Sequence, residues 1–137
     1  MSDARSDRGS VSALVAIVAL GLVMIAGLAY DGGQIVAAQG TARDVAANAA
    51  RAGAQEVDLD ELRATGTAQL DPEAAAAAAD AYLADTGHEG TVEVAGPTVT
   101  VTVRVVQPMT ILPLPDRTVA ATDSATAVTG PEGEAGA

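Results

Sequence analysis

Apolar residues follow three different rhythms along this chain. From Val11 to Tyr30 there is no rhythm at all: VSALVAIVALGLVMIAGLAY is apolar on every side, with no charge and no proline. As a helix, these 20 residues rise about 30 Å, the thickness of a bilayer's hydrocarbon core. Backbone N–H and C=O groups at that depth must pair within the segment, so a membrane-spanning helix is expected over 11–30.

The second rhythm begins after Asp31-Gly32-Gly33. Ile35, Ala38, Ala42, Val45, Ala49 and Ala52 recur at steps of three and four, while Arg43, Asp44, Asn48, Arg51 and Gln55 fall mostly elsewhere. That is one face of a helix, and its small side chains let another backbone approach closely, either a sheet or a second helix. If the paired glycines merely soften the helix, one rod runs from about Val11 to Val57. If they break it, they form a hinge, since each costs about 1 kcal/mol in a helix interior.

Residues 58–70 are acidic and mixed, as suits a connector. Asp71-Pro72-Glu73 then supplies an N-cap, a proline at the first helical position and a charge matched to the dipole. The helix it opens is expected to stop at Thr86-Gly87, where glycine can adopt a positive φ.

After Gly90 the third rhythm takes over. Val92 and Val94, then Val99, Val101, Val103 and Val105, hold alternate positions, with Thr98, Thr100, Thr102 and Arg104 between them. These are strands with one buried face, reversed at Ala95-Gly96-Pro97. Pro108, Pro113 and Pro115 make MTILPLPD an apolar loop, and a third strand is expected near Thr118 to Val128. The fold class is therefore α+β: a long N-terminal membrane helix continuing into a soluble helix, a second short helix, and an antiparallel sheet of about three strands. The expected divisions are a leader over 1–10, the membrane helix over 11–30, a helical extension over 31–57, a small α+β domain over 58–128 and a disordered acidic tail over 129–137. The alanine seam of the first helix is the candidate cover for the valine face.

Composition adjusts this picture in two ways. Only Tyr30 and Tyr82 are aromatic, so a core of alanine and valine buries little area per side chain and gains from neighbouring subunits. The formal charge of −11 disfavours nucleic acid and anionic lipid as partners. Arg5 and Arg8 precede the apolar run and the next positive residue is Arg43, which places the N-terminus in the cytoplasm and the rest outside. The rival reading is a cleaved secretory signal cut before Tyr30, after Gly27 and Ala29; the apolar run exceeds the 7–15 residues of a usual signal core.

Catalytic chemistry finds little support. His88 is the single histidine and there is no cysteine, too few donors for a usual zinc or copper site. No GxSxG elbow accompanies it. Asp58, Asp60 and Glu61 form the densest acidic group, which reads as a solvated connector without the glycine and spacing of a calcium loop. Gly27, Gly32, Gly33 and Gly40 lack the strand and lysine of a phosphate loop. No enzyme activity, cofactor or metal is expected.

Three stretches resemble the TadE/TadG-like proteins of the tight-adherence (Flp pilus) system: Asp7-Arg8-Gly9 before the apolar run, GLAYDGG over 27–33 at its end, and AARAGAQ over 49–55 in the following helix. The resemblance implies a pilin-like envelope protein that joins a pilus as a minor subunit or helps assemble it. Its partners would be other pilin-like or pilus-assembly membrane proteins and the lipid bilayer, with homo- or hetero-oligomers allowed. It also implies a candidate processing site between Gly9 and Ser10, where a membrane peptidase cuts related subunits. The fifth residue after that cut is Leu14 where processed subunits commonly carry glutamate, which gives weight to an anchored accessory role. The alternative is a signal-anchored or secreted structural or binding module unrelated to pili.

Overall fold

The structure is a computed structural model that describes residues 6–128. The acidic tail expected over 129–137 and the first five residues of the leader lie outside them. Helix α1 runs from Ser6 to Gly53, 48 residues, or about 72 Å at 1.5 Å per residue. It passes through Gly32 and Gly33 unbroken, so the hinge is not formed. The cost of two helical glycines is offset by tertiary packing on either side, where Asp31 and Ala38 are buried.

The helix stops at Gly53, short of the expected Val57. A Cβ at position 53 would lie 2.7 Å from the Ala75 carbonyl oxygen and 3.2 Å from Val99, so the end of α1 is clamped between a second helix and the sheet. Val57 instead pairs with Leu70 in an isolated antiparallel bridge. Gly53→Ala should therefore destabilise the domain by about 1–3 kcal/mol; thermal unfolding of the detergent-solubilised chain measures it, and an unchanged midpoint would show the clamp to be loose.

Between Val57 and Leu70, within the expected connector, lies helix α2, Leu59–Thr65. Asp58 is its N-cap, its Oδ1 accepting from the amides of Asp60 at 2.9 Å and Glu61 at 3.0 Å. Gly66 closes it at φ 74°. Helix α3, Pro72–Thr86, has the expected ends: Asp71 caps Glu73 and Ala74, and Gly87 sits at φ 69°.

The sheet is a meander in the order β1-β2-β3, with β1 at Glu89–Ala95, β2 at Thr98–Gln107 and β3 at Arg117–Thr126. Gly96 takes φ 58° in the two-residue reversal, the left-handed geometry that tight hairpins require at that position. Register is fixed by the valines on one face and by threonines on the other: Thr98 bonds Thr126 at 3.0 Å and Thr102 bonds Thr122 at 2.8 Å. Val99, Val101 and Val103 are fully buried.

Two helices cover this face. The outer half of α1 lies on β2 and β3, and α3 lies beside it on β1. Ala42, Ala46, Ala49 and Ala50 of α1 meet Ala75, Ala79 and Leu83 of α3 in the same cluster as the valines. The outer half of α1 is thus part of the domain's core, and the alanine-rich α3 contributes the smaller share of the cover, over β1. With Gly53 at Val99 and Gly27 at Ile111, β2 runs antiparallel to α1 and returns the chain to the mouth of the apolar segment.

Candidate functional site

Over residues 11–30, α1 is exposed on all sides except at Gly27. Val11, Leu14, Ile17, Leu20 and Ile25 each leave at least 60% of their surface uncovered, as a lipid-facing helix must. Among the described residues α1 is the one helix long and apolar enough to cross a membrane, which fits a single-pass membrane protein.

Gly27 is covered by the loop between β2 and β3. A Cβ there would meet Ile111 at 2.8 Å and Leu112 at 3.1 Å, so any larger residue would push the side chains of the loop off the helix. One turn further on, Asp31 is buried, with 1% of its surface exposed. Its Oδ1 accepts from the amides of Thr110 at 3.0 Å and Ile111 at 3.3 Å. Its Oδ2 accepts from Ile111 at 3.1 Å and Leu112 at 2.7 Å.

Three consecutive N–H groups thus converge on one carboxylate across 79 to 81 residues of sequence. The Leu112 amide, with those of Thr110 and Ile111, holds the Asp31 carboxyl below its usual range against the opposing effect of burial, because each bond favours the charged form. The sequence reading uses Asp31 only to mark where the second rhythm begins and misses this role. The available signal was an acid directly after the apolar run in a chain whose proline-rich apolar loop has no strand partner for its amides.

The seam residues lie on the sheet side of α1. Ala38, Ala42, Val45 and Ala49 are buried, whereas Ile35 and Ala52 are half-buried. Ala46 and Ala50, absent from the expected face, are completely buried as well, because α3 approaches α1 from that side. With its own sheet and α3 in place, this face is occupied and offers no room to a partner helix. The candidate processing position, Gly9 and Ser10, falls within the first turns of α1, distant in sequence from the clamp.

His88 is half-buried after α3, and its Nδ1 has no hydrogen-bond partner. It borders a shallow cleft of about 450 Å³ with Asp80, Leu83, Glu89 and Arg104. No group of three or more histidine, aspartate or glutamate side chains placed to hold a metal ion occurs among the described residues. Of the acidic triplet, Asp58 is occupied by its cap and Asp60 pairs with Arg63 at 3.0 Å on the open surface, where such pairs contribute little.

A single long helix, bare where it is lipophilic and packed on a three-stranded antiparallel sheet where it is alanine-rich, defines an α+β protein with an N-terminal helix fit to cross a membrane. Residues 9–56 match the family model described as putative Flp pilus-assembly TadE/G-like, so over that segment the chain is similar to TadE/G-like proteins. The match takes in the apolar segment, Asp31 and the whole seam. No curated protein and no solved structure matches the chain.

Proposed function

We propose that this chain is a non-enzymatic, permanently anchored component of a Flp/Tad-type pilus or secretion machine, acting as a minor pilin-like subunit or as an assembly factor. Residues 1–10 face the cytoplasm, 11–30 are retained in the bilayer, and the α+β domain presents its outer surface to other pilus components. The observation that supports this best is the continuity of α1: one unbroken helix joins the bilayer to the core of the domain, so a force or displacement at either end reaches the other.

Because the small-residue face is taken up internally, contacts with partners fall on the lipid-facing surface of 11–30 and on the outward faces of the domain. Leu14 gives the membrane segment no carboxylate to neutralise the new N-terminus that a cut at Gly9–Ser10 would create, and an uncompensated charge in hydrocarbon is costly. Anchoring rather than extraction into a filament is the reading this favours.

Deletion of the protein should abolish or shorten pili, and cross-linked membranes should yield it together with other pilus-assembly proteins; normal pili without it would favour the anchored module unrelated to pili. Intact mass of the membrane-extracted protein should give the full chain. A chain starting at Ser10 would move the assignment to processed subunit, and one starting at Tyr30 would overturn the anchor. The chain has no cysteine, so Ala81→Cys, on the exposed side of α3, reports topology: a membrane-impermeant maleimide should label it in intact cells, and protection would reverse the orientation.

A further inference from the structure

The loop joining β2 to β3 has a composition and a position that water does not explain. From Pro108 to Pro115 it carries no charge, and Ile111 and Leu114 leave 46% and 49% of their surfaces uncovered. Its tip rests on Gly27, inside the apolar run and about 6 Å along the helix axis on the cytoplasmic side of Asp31.

The loop's backbone is equally unusual. The amides of Thr110, Ile111 and Leu112 all donate to Asp31, and that of Leu114 donates to the Leu112 carbonyl at 2.8 Å. Pro113 and Pro115 have no N–H to donate. Every residue from Thr110 to Pro115 therefore has its N–H either paired or missing, without recourse to solvent. Irregular backbone is excluded from lipid because unpaired polar groups are costly there; these donors are already satisfied.

We propose that this loop is a second membrane contact: Ile111 and Leu114 insert into the interfacial layer of the bilayer that α1 crosses, and Asp31 holds them at that depth. The inference rests on residues 11–30 being retained in the membrane. Lipid is the occupant because the exposed tip is continuous with the lipid-facing surface of α1, and because the chain's acidity calls for an apolar contact rather than an electrostatic one. Pinning a domain at two points fixes its tilt and rotation over the membrane, which a lone helix leaves free. For a protein that must present one face to its partners, that restricts the geometry of assembly.

The chain contains no tryptophan, so one indole reports one position. Leu114→Trp, Leu20→Trp and Ala64→Trp are made singly in the full chain and reconstituted into phosphatidylcholine vesicles, with brominated acyl chains as the lipid quencher and iodide as the aqueous one. The indole at position 114 should show blue-shifted emission, lose intensity to brominated lipid as that at position 20 does, and be shielded from iodide. That at position 64, on exposed α2, should respond to iodide alone. Adding Asp31→Ala to Leu114→Trp should exchange the two responses. If position 114 answers to iodide while position 20 answers to lipid, the loop contact is wrong and the anchor stands. Protection of position 114 from both quenchers would mean that protein covers the tip, and the proposal fails. If position 20 also ignores brominated lipid, the membrane reading falls and the loop contact falls with it.

Discussion

Replacing Ala42 and Ala49 together by leucine should strongly destabilise the outer domain of the full chain, even in isolation from any partner. Both side chains have 0% of their surface exposed, and both sit where α1 meets the valine face. Each leucine brings extra carbons into a filled site, which costs about 1–3 kcal/mol by forcing strained rotamers or backbone shifts. The two changes lie two turns apart on one helix and push on the same sheet, so neither can relax at the expense of the other.

A loss of about 2–6 kcal/mol compares with a total stability of about 5–15 kcal/mol for a domain, and an alanine-valine core belongs at the low end of that range. Each kcal/mol corresponds to about 4–8 °C at this domain size, so the melting midpoint in detergent should fall by at least about 10 °C, followed by circular dichroism. The outcome separates two uses of the seam. Had it been reserved for a partner helix, the solubilised monomer would melt unchanged and only assembly would fail. Val36→Leu, at an exposed position on the same helix, should leave the midpoint where it is.

Much of this architecture is legible because local chemistry and tertiary demand agree. Asp71-Pro72 and Gly87 bound α3 as their conformational preferences require, and the alternation of valine with threonine fixes both the strands and the face that is buried. Where reading fails, it fails for reasons of distance or neighbourhood. Asp58-Leu59-Asp60-Glu61 carries a helix-start signal, yet the density of acid reads more readily as solvated connector. Gly32 and Gly33 leave rod and hinge both open locally, and the rod forms, as the fold class expects, because packing on both sides outweighs their cost. Ala46 and Ala50 join the core because α3 happens to flank α1, so a helix expected to bury one stripe buries two.

The clamp at Asp31 is the extreme case, since its partners lie some 80 residues away. Asp31→Ala should free the loop while leaving the rest of the sheet intact. The three amides then lose their acceptor, and their hydrogen exchange should accelerate by about tenfold or more, the usual consequence of losing a charge-assisted bond, while that of Val101 and Val103 is unchanged. Asp31→Asn should not restore the wild-type rate. A carboxylate offers two oxygens, and the structure uses both; an amide keeps one and turns an N–H donor toward either Thr110 or Leu112, where another donor already points. The pH dependence follows from the sign of the shift. Because the folded carboxyl titrates below its unfolded value of about 3.9, its contribution is complete above that value and disappears as pH falls through the lower, folded one. Exchange at Thr110 to Leu112, corrected for its intrinsic pH dependence, should thus be flat from neutrality down to about pH 5 and should lose protection only in stronger acid. Release of the loop near neutral pH would mean that some other group holds it. Equal protection in Asp31→Ala would mean that the packing of Ile111 against Gly27 suffices alone.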